Sequence, residues 1–336
     1  MFKNAKDMIG KTQDFFRKQQ YKARKKFFDM VMDTKKLDGR NKLTLGFFMN
    51  LFGAELHAQE KLDPIVLKTE FLQDILINAE LSQLIYDDIS IRQFPEGIDS
   101  VFYEKSEEKP GIVPFFLADS EKHDTIFVVC RGTFCFADVI TDLKAKSVEF
   151  DDGLIHEGIL KSSIYVIENS SFEIHSHIMK HPTRKVVFTG HSLGAGTAAI
   201  ASMIFKDQNP TITTTAIVFA PPPTITHKIW EKTLEVISIT LADDPVPFSS
   251  LYNAAMASSS VLPNAIAKKF IETFEEEKLV PPGKQYHISI NNLNPLETQI
   301  EEVPSPQYYL HLPSNLNEAH HSMPLYIKSI EKLIIS

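Results

Sequence analysis

The chain has 336 residues, with 43% apolar and 23% charged side chains, ordinary globular proportions that exclude collagen, coiled coil and wholesale disorder. That length suits one full-sized α/β catalytic domain carrying an appendage. The net charge of −8 hides an asymmetry, because residues 1–42 hold 13 Lys and Arg against 5 Asp, so a +8 arm precedes a −16 body that repels polyanions and argues against a nucleic acid partner.

The arm, residues 1–62, places Ile9, Phe16, Ala23, Phe27, Met30 and Val31 at helical spacing, with Lys18, Lys22 and Lys25 on another face. Such a basic amphipathic helix suits an anionic membrane surface, where each Lys or Arg near the headgroups contributes about 1 kcal/mol. The same pattern also suits a helix packed on the body, and both readings stand at this point. Charge interrupts MFKNAKDMIGKTQDFF every few positions, so no cleaved secretory signal is expected. The stretch Leu43–Leu56 is too short to span a bilayer and contains Gly46, Asn50 and Gly53. A cytoplasmic protein, peripheral on membranes, is the expectation.

The body, residues 63–336, begins with one or two core-covering helices between Pro64 and Asp88. Short apolar runs then alternate with helical stretches: IVPFFL, TIFVVC, a helix near Gly158–Met179, KVVFTG, a helix from Ser192, AIVFA, VISIT and YHISI. This alternation predicts an α/β fold with a mostly parallel central sheet and helices on both faces. Residues 249–280 form a small-residue-rich insertion ending in KKFIETFEEEK, a candidate cap over a site or a solvated connection. Cys130 and Cys135, the only cysteines, flank an RGT turn and read as reduced and structural.

The chemistry concentrates at RKVVFTGHSLGAGTAAI. A serine nucleophile on a strained strand-to-helix turn needs small residues two positions either side, and Gly190 and Gly194 flank Ser192 in that way. The motif follows an apolar strand and opens an Ala-rich helix, the order of the nucleophile elbow in the α/β-hydrolase fold. The helix N-terminus directs backbone N–H groups at the place where an oxyanion develops, and Leu193 is expected to supply one. His191, inside the elbow, points away from the nucleophile and is expected to pack or hydrogen-bond rather than act as base.

Three segments in fixed order, VVCRGTFCFADVITDL, FTGHSLGAGTAAI and ITLADDPVPFSS, followed by PPGKQYHI and AHHSMPLY, resemble the class 3 lipase family over roughly residues 70–335. The likeness is nearest to its diacylglycerol lipase group. The resemblance implies an α/β-hydrolase fold and an oxyanion-hole donor at Thr133. Residues Phe134–Leu143 stand where fungal relatives carry a lid helix. Two positions depart from the family pattern: Gly196, where many relatives have alanine, and His320, where relatives often place Asp.

A serine hydroxyl needs a histidine to take its proton and a carboxylate to orient that histidine, in the chain order Ser, Asp, His. Asp244 stands directly before Pro-Val-Pro, matching the family's DxVP context, with Asp243 as competitor. Among His311, His320 and His321, the last heads HSMPLYIKSI, which resembles the family's terminal helix, and is taken as the base. His156, in a turn similar to the family's VHxG, reads as structural support. No His/Cys spacing suggests a zinc site, no Ca²⁺ site is legible and no cofactor is expected.

The expected activity is therefore hydrolysis of carboxylic esters in acylglycerol lipids, di- or monoacylglycerol before triacylglycerol. Phospholipid sn-1 ester hydrolysis and acyl transfer to another alcohol use the same residues and stay open. A catalytically inactive lipid-binding or membrane-scaffold protein is the alternative of another class.

Overall fold

Runs of Val, Ile and Phe with almost no charge form strands here because both of their faces are covered. The computed structural model describes residues 61–88, 91–107, 109, 111–133, 147–258, 268–269, 271–272, 275–290, 298–313 and 316–335. The basic arm, the lid segment Phe134–Leu143 with Cys135, and part of the 249–280 insertion lie outside those residues.

The larger sheet has nine strands: β1 (Pro64–Ile65), β2 (Ser100–Lys105), β3 (Phe115–Ser120), β4 (Thr125–Cys130), β7 (Lys185–His191), β8 (Thr214–Phe219), β10 (Val236–Leu241), β12 (Lys284–Ile290) and β13 (Thr298–Val303). Their spatial order is β1-β13-β12-β10-β8-β7-β4-β3-β2. The five strands from β12 to β4 run parallel, and antiparallel strands finish both edges. A smaller antiparallel sheet joins β5 (Ser147–Phe150), β6 (Gly153–His156), β9 (Ile225–Thr226) and β11 (Leu279–Val280). The mostly parallel sheet expected from the alternation is present, and the second sheet adds short strands whose two- and four-residue lengths leave no readable period.

The main helices are α1 (Thr69–Leu84), α2 (Glu157–Ile178), α3 (Leu193–Gln208), α4 (Leu251–Ser258) and α5 (Met323–Ile335). Successive strand residues point to opposite faces. Phe115, Leu117, Val128, Val186, Phe188 and Val218 accordingly join α2 and α3 in one core. Phe116, Ala118, Phe127, Val129 and Val187 sit with Leu81 and Leu84 of α1, while Phe219, Ile239 and Ile288 meet Met323, Tyr326 and Ile330 of α5. Helix α1 starts at Thr69 rather than Pro64, since Pro64 and Ile65 pair with Glu301 and Ile300 at the sheet edge. No helix among the described residues is long and apolar enough to cross a membrane.

Helix α3 approaches the sheet and α2 closely because its first turns carry buried Ala195, Gly196, Ala198 and Ala199. A Cβ on Gly196 would lie 2.9 Å from Ile159 Cδ1 and 3.0 Å from Thr224 Oγ1. The departure from alanine at this position is thus a packing adjustment to Ile159, remote from the reacting atoms.

Candidate active site

Strand β7 ends at His191 and α3 begins at Leu193, so Ser192 makes the whole turn between them. Its backbone sits at φ 60°, ψ −128°, a left-handed conformation that costs a non-glycine residue on the order of 1–3 kcal/mol. The Ser192 N–H donates to Phe219 O at the end of β8 (3.0 Å), which fixes the turn to the neighbouring strand. The glycines are sterically required: a Cβ on Gly190 would lie 2.6 Å from the carbonyl oxygens of Cys130 and Gly194, and one on Gly194 would press into Cys130 O and Gly132 N. The elbow is therefore wedged against the exit of β4. Cys130 there is free and buried, and burial pushes its thiol far above the ordinary range, so it packs as a small hydrophobe.

The wedge brings the Arg131–Thr133 backbone alongside Ser192, with the position of a Gly132 Cβ only 3.2 Å from Ser192 Cβ. Thr133 follows directly. Leu193, as first residue of α3, has an N–H without an intrahelical acceptor, at the positive end of the helix dipole. Gly132, the residue before Thr133, and Leu193, the first residue of α3, thus adjoin Ser192.

Asp244 lies just past β10 and is buried (1% exposed). Its carboxylate accepts from the Val246 N–H (2.9 Å), the Tyr326 hydroxyl (2.8 Å) and Nδ1 of His321 (3.0 Å to Oδ2, 3.1 Å to Oδ1). Burial, then the Asp244 charge, holds the Tyr326 phenol well above its usual range, so it stays a donor. The competitor Asp243 faces elsewhere: its N–H donates to His320 Nδ1 (3.1 Å), and its carboxylate is 3.8 Å from the same ring nitrogen. His311 is exposed on the surface. The Asp244 carboxylate thus holds His321, whereas His320 Nδ1 accepts the backbone N–H of Asp243 rather than bonding its carboxylate.

His321 lies over the elbow, its ring 4.3 Å from that of His191 with 31° between the planes. Ser192 Oγ is buried and makes no hydrogen bond among the described residues. A catalytic serine–histidine bond is commonly long before substrate binds and tightens in the complex. His191 itself is packed away from solvent and bonds the Tyr86 hydroxyl through Nδ1 (3.3 Å). His156 caps α2, its Nδ1 accepting the Ile159 N–H at 3.2 Å. Among the described residues no group of three or more His, Cys, Asp or Glu is placed to hold a metal ion.

Beneath Asp244, Thr240 Oγ1 bonds His287 Nδ1 (3.1 Å) and the Tyr309 hydroxyl (3.1 Å). Burial pushes the His287 pKa down to about 4, against an ordinary 6.5, and lowers that of His191 in the same direction. Between pH 6.5 and 4 the unfolded chain binds these protons and the folded one does not, so stability is full above that window and falls as pH drops through it. His287 alone accounts for about 3 kcal/mol across the window. The melting temperature is expected to fall steadily from pH 7 to pH 4.5, and more gently in His287→Gln; equal pH slopes in calorimetry for the two proteins would refute this assignment.

The family model described as lipase (class 3) matches residues 127–253, which hold the RGT turn, the elbow and Asp244. Mouse diacylglycerol lipase-beta is 29% identical over 177 residues, covering 48% of this chain and 25% of that protein. Human diacylglycerol lipase-alpha is 28% identical over 232 residues, covering 63% of this chain and 21% of that protein. The chain thus spans a quarter or less of these relatives' length. Among solved structures, the lipase from Rhizopus microsporus var. chinensis superposes with a TM-score of 0.57 at 15% identity, covering 80% of this chain and 91% of that one. The fold is therefore that of the α/β hydrolases, and within it residues 127–253 match the class 3 lipase model, with diacylglycerol lipases among the proteins this chain resembles.

Proposed function

We propose that this chain hydrolyses carboxylic esters of acylglycerol lipids, with di- or monoacylglycerol preferred and triacylglycerol a further substrate. One observation carries the reading: the buried Asp244 carboxylate holds Nδ1 of His321, whose ring lies against the residue preceding a serine kept at positive φ. In the proposed reaction Ser192 Oγ attacks the acyl carbonyl while His321 takes its proton. Asp244 fixes the tautomer and stabilises the imidazolium, and the Thr133 and Leu193 N–H groups receive the oxyanion. His321 returns the proton to the leaving alcohol, and water then releases the fatty acid from the acyl-enzyme by the same steps in reverse order.

The test is turnover of purified protein on mono-, di- and triacylglycerols and on phospholipids, with fluorophosphonate labelling alongside. Fastest release from di- or monoacylglycerol supports the reading. Faster release from phospholipid, or acyl transfer to an added alcohol in place of hydrolysis, overturns the substrate class. Liposome binding with neither turnover nor labelling would make the chain a lipid-binding scaffold.

For the arm, whose net charge is +8 over residues 1–42, the proposed role is attachment to an anionic membrane. Deleting residues 1–42 is expected to weaken sedimentation with anionic vesicles several-fold and to leave hydrolysis of a soluble ester unchanged. Undiminished sedimentation, or loss of soluble-ester activity, would assign the arm to the body instead.

A further inference from the structure

We propose that Tyr86 and His191 form a positioning pair that ties the oxyanion backbone at the exit of β4 to the histidine base. The inference rests on the serine-hydrolase reading above and deepens it. Tyr86 lies two residues past the end of α1, and its hydroxyl oxygen accepts the Gly132 N–H at 3.1 Å. The same hydroxyl shares a hydrogen bond with His191 Nδ1 at 3.3 Å. Gly132 directly precedes Thr133, and His191 directly precedes Ser192. One phenol oxygen therefore joins the two backbone segments that must present donor and nucleophile to the same acyl carbon.

The fit around Gly132 leaves no slack. A Cβ there would lie 2.5 Å from the Tyr86 hydroxyl and 3.2 Å from Ser192 Cβ, so the loop is held between phenol and nucleophile. On the other side, His191 presents its ring to His321 at 4.3 Å, and the rings of Tyr86 and Tyr326 meet His191 edge-on at 6.1 Å and 6.2 Å. Burial and the neighbouring His321 keep His191 neutral, so it can back His321 as that ring gains charge, where a second imidazolium would repel it. An oxyanion donor works only within about 2.7–3.1 Å of the developing charge, and a misplacement of about 1 Å costs about 10²-fold. Loss of the phenol hydroxyl removes the restraint on the Gly132–Thr133 backbone and on the His191 ring together.

The experiment measures labelling of Ser192 by a fluorophosphonate under saturation, which separates the chemical rate from reagent affinity without presuming the natural lipid. Tyr86→Phe, His191→Phe and the double variant are compared with the parent protein, each with its thermal transition recorded. Tyr86→Phe is expected to lower the maximal labelling rate at least tenfold with affinity nearly unchanged, and to lower the melting temperature modestly, because the buried Gly132 N–H and His191 Nδ1 lose this partner. His191→Phe, which keeps a ring against His321, is expected to lose less, and the double variant to fall no further than Tyr86→Phe alone. A parental rate in Tyr86→Phe, or losses that multiply in the double variant, overturns the pairing. So does a loss confined to affinity or to folding, and if Tyr86→Phe does not fold, a parental rate in His191→Phe overturns it equally. An unlabelled parent protein would instead sink the hydrolase reading itself.

Discussion

Ser192→Ala is expected to reduce ester turnover on the order of 10⁶-fold, the scale on which removal of a nucleophilic serine acts in a triad enzyme, and to abolish fluorophosphonate labelling. The fold should survive, for reasons visible at the turn. Ser192 Oγ makes no hydrogen bond among the described residues, so its removal orphans no partner. Alanine at φ 60° is strained much as serine is. Ser192→Gly, equally inactive, should be more stable by about 1 kcal/mol, because glycine adopts that conformation freely. Turnover or labelling of Ser192→Ala near the parental level would remove Ser192 from the mechanism. A melting temperature unchanged in Ser192→Gly would show that the turn stores no strain.

The elbow was legible because its requirements are local: an apolar strand, small residues at two fixed offsets and a helix start all fall within RKVVFTGHSLGAG. Asp243 and Asp244 were harder to separate. They differ by one position in a loop, and only the partners distinguish them, since Asp243 meets His320 while Asp244 is buried against Val246, Tyr326 and His321. Tyr326 and Tyr86 were not legible as site residues. Each sits in or just beyond a helix at a core-facing position, where an aromatic ring satisfies the apolar period and its hydroxyl leaves no trace in the pattern. Sheet edges escaped for a related reason: β13 carries Glu301 and Glu302 yet pairs on both sides, its buried Glu301 carboxylate accepting from Ser289 Oγ on β12. Pairing across the sheet decided that element.

Asp244→Asn is expected to lower kcat by about 10⁴-fold while the protein remains folded. Asp244 offers two acceptor oxygens to three donors, the Val246 N–H, the Tyr326 O–H and the His321 Nδ1–H. An asparagine amide has one acceptor oxygen and one NH₂, so one edge must now donate. Turned toward His321, the NH₂ selects the tautomer with its proton on Nε2, which cannot accept the serine proton. Turned toward Val246, it sets two donors face to face and strains the loop after β10. Tyr326→Phe removes only one of three donors and should cost far less, about tenfold. Asp243→Asn should leave turnover near the parental level, because that carboxylate is 3.8 Å from His320 and a quarter exposed. A full loss in Asp243→Asn beside an active Asp244→Asn would move the orienting role to the neighbouring carboxylate and make His320, rather than His321, the base to test next.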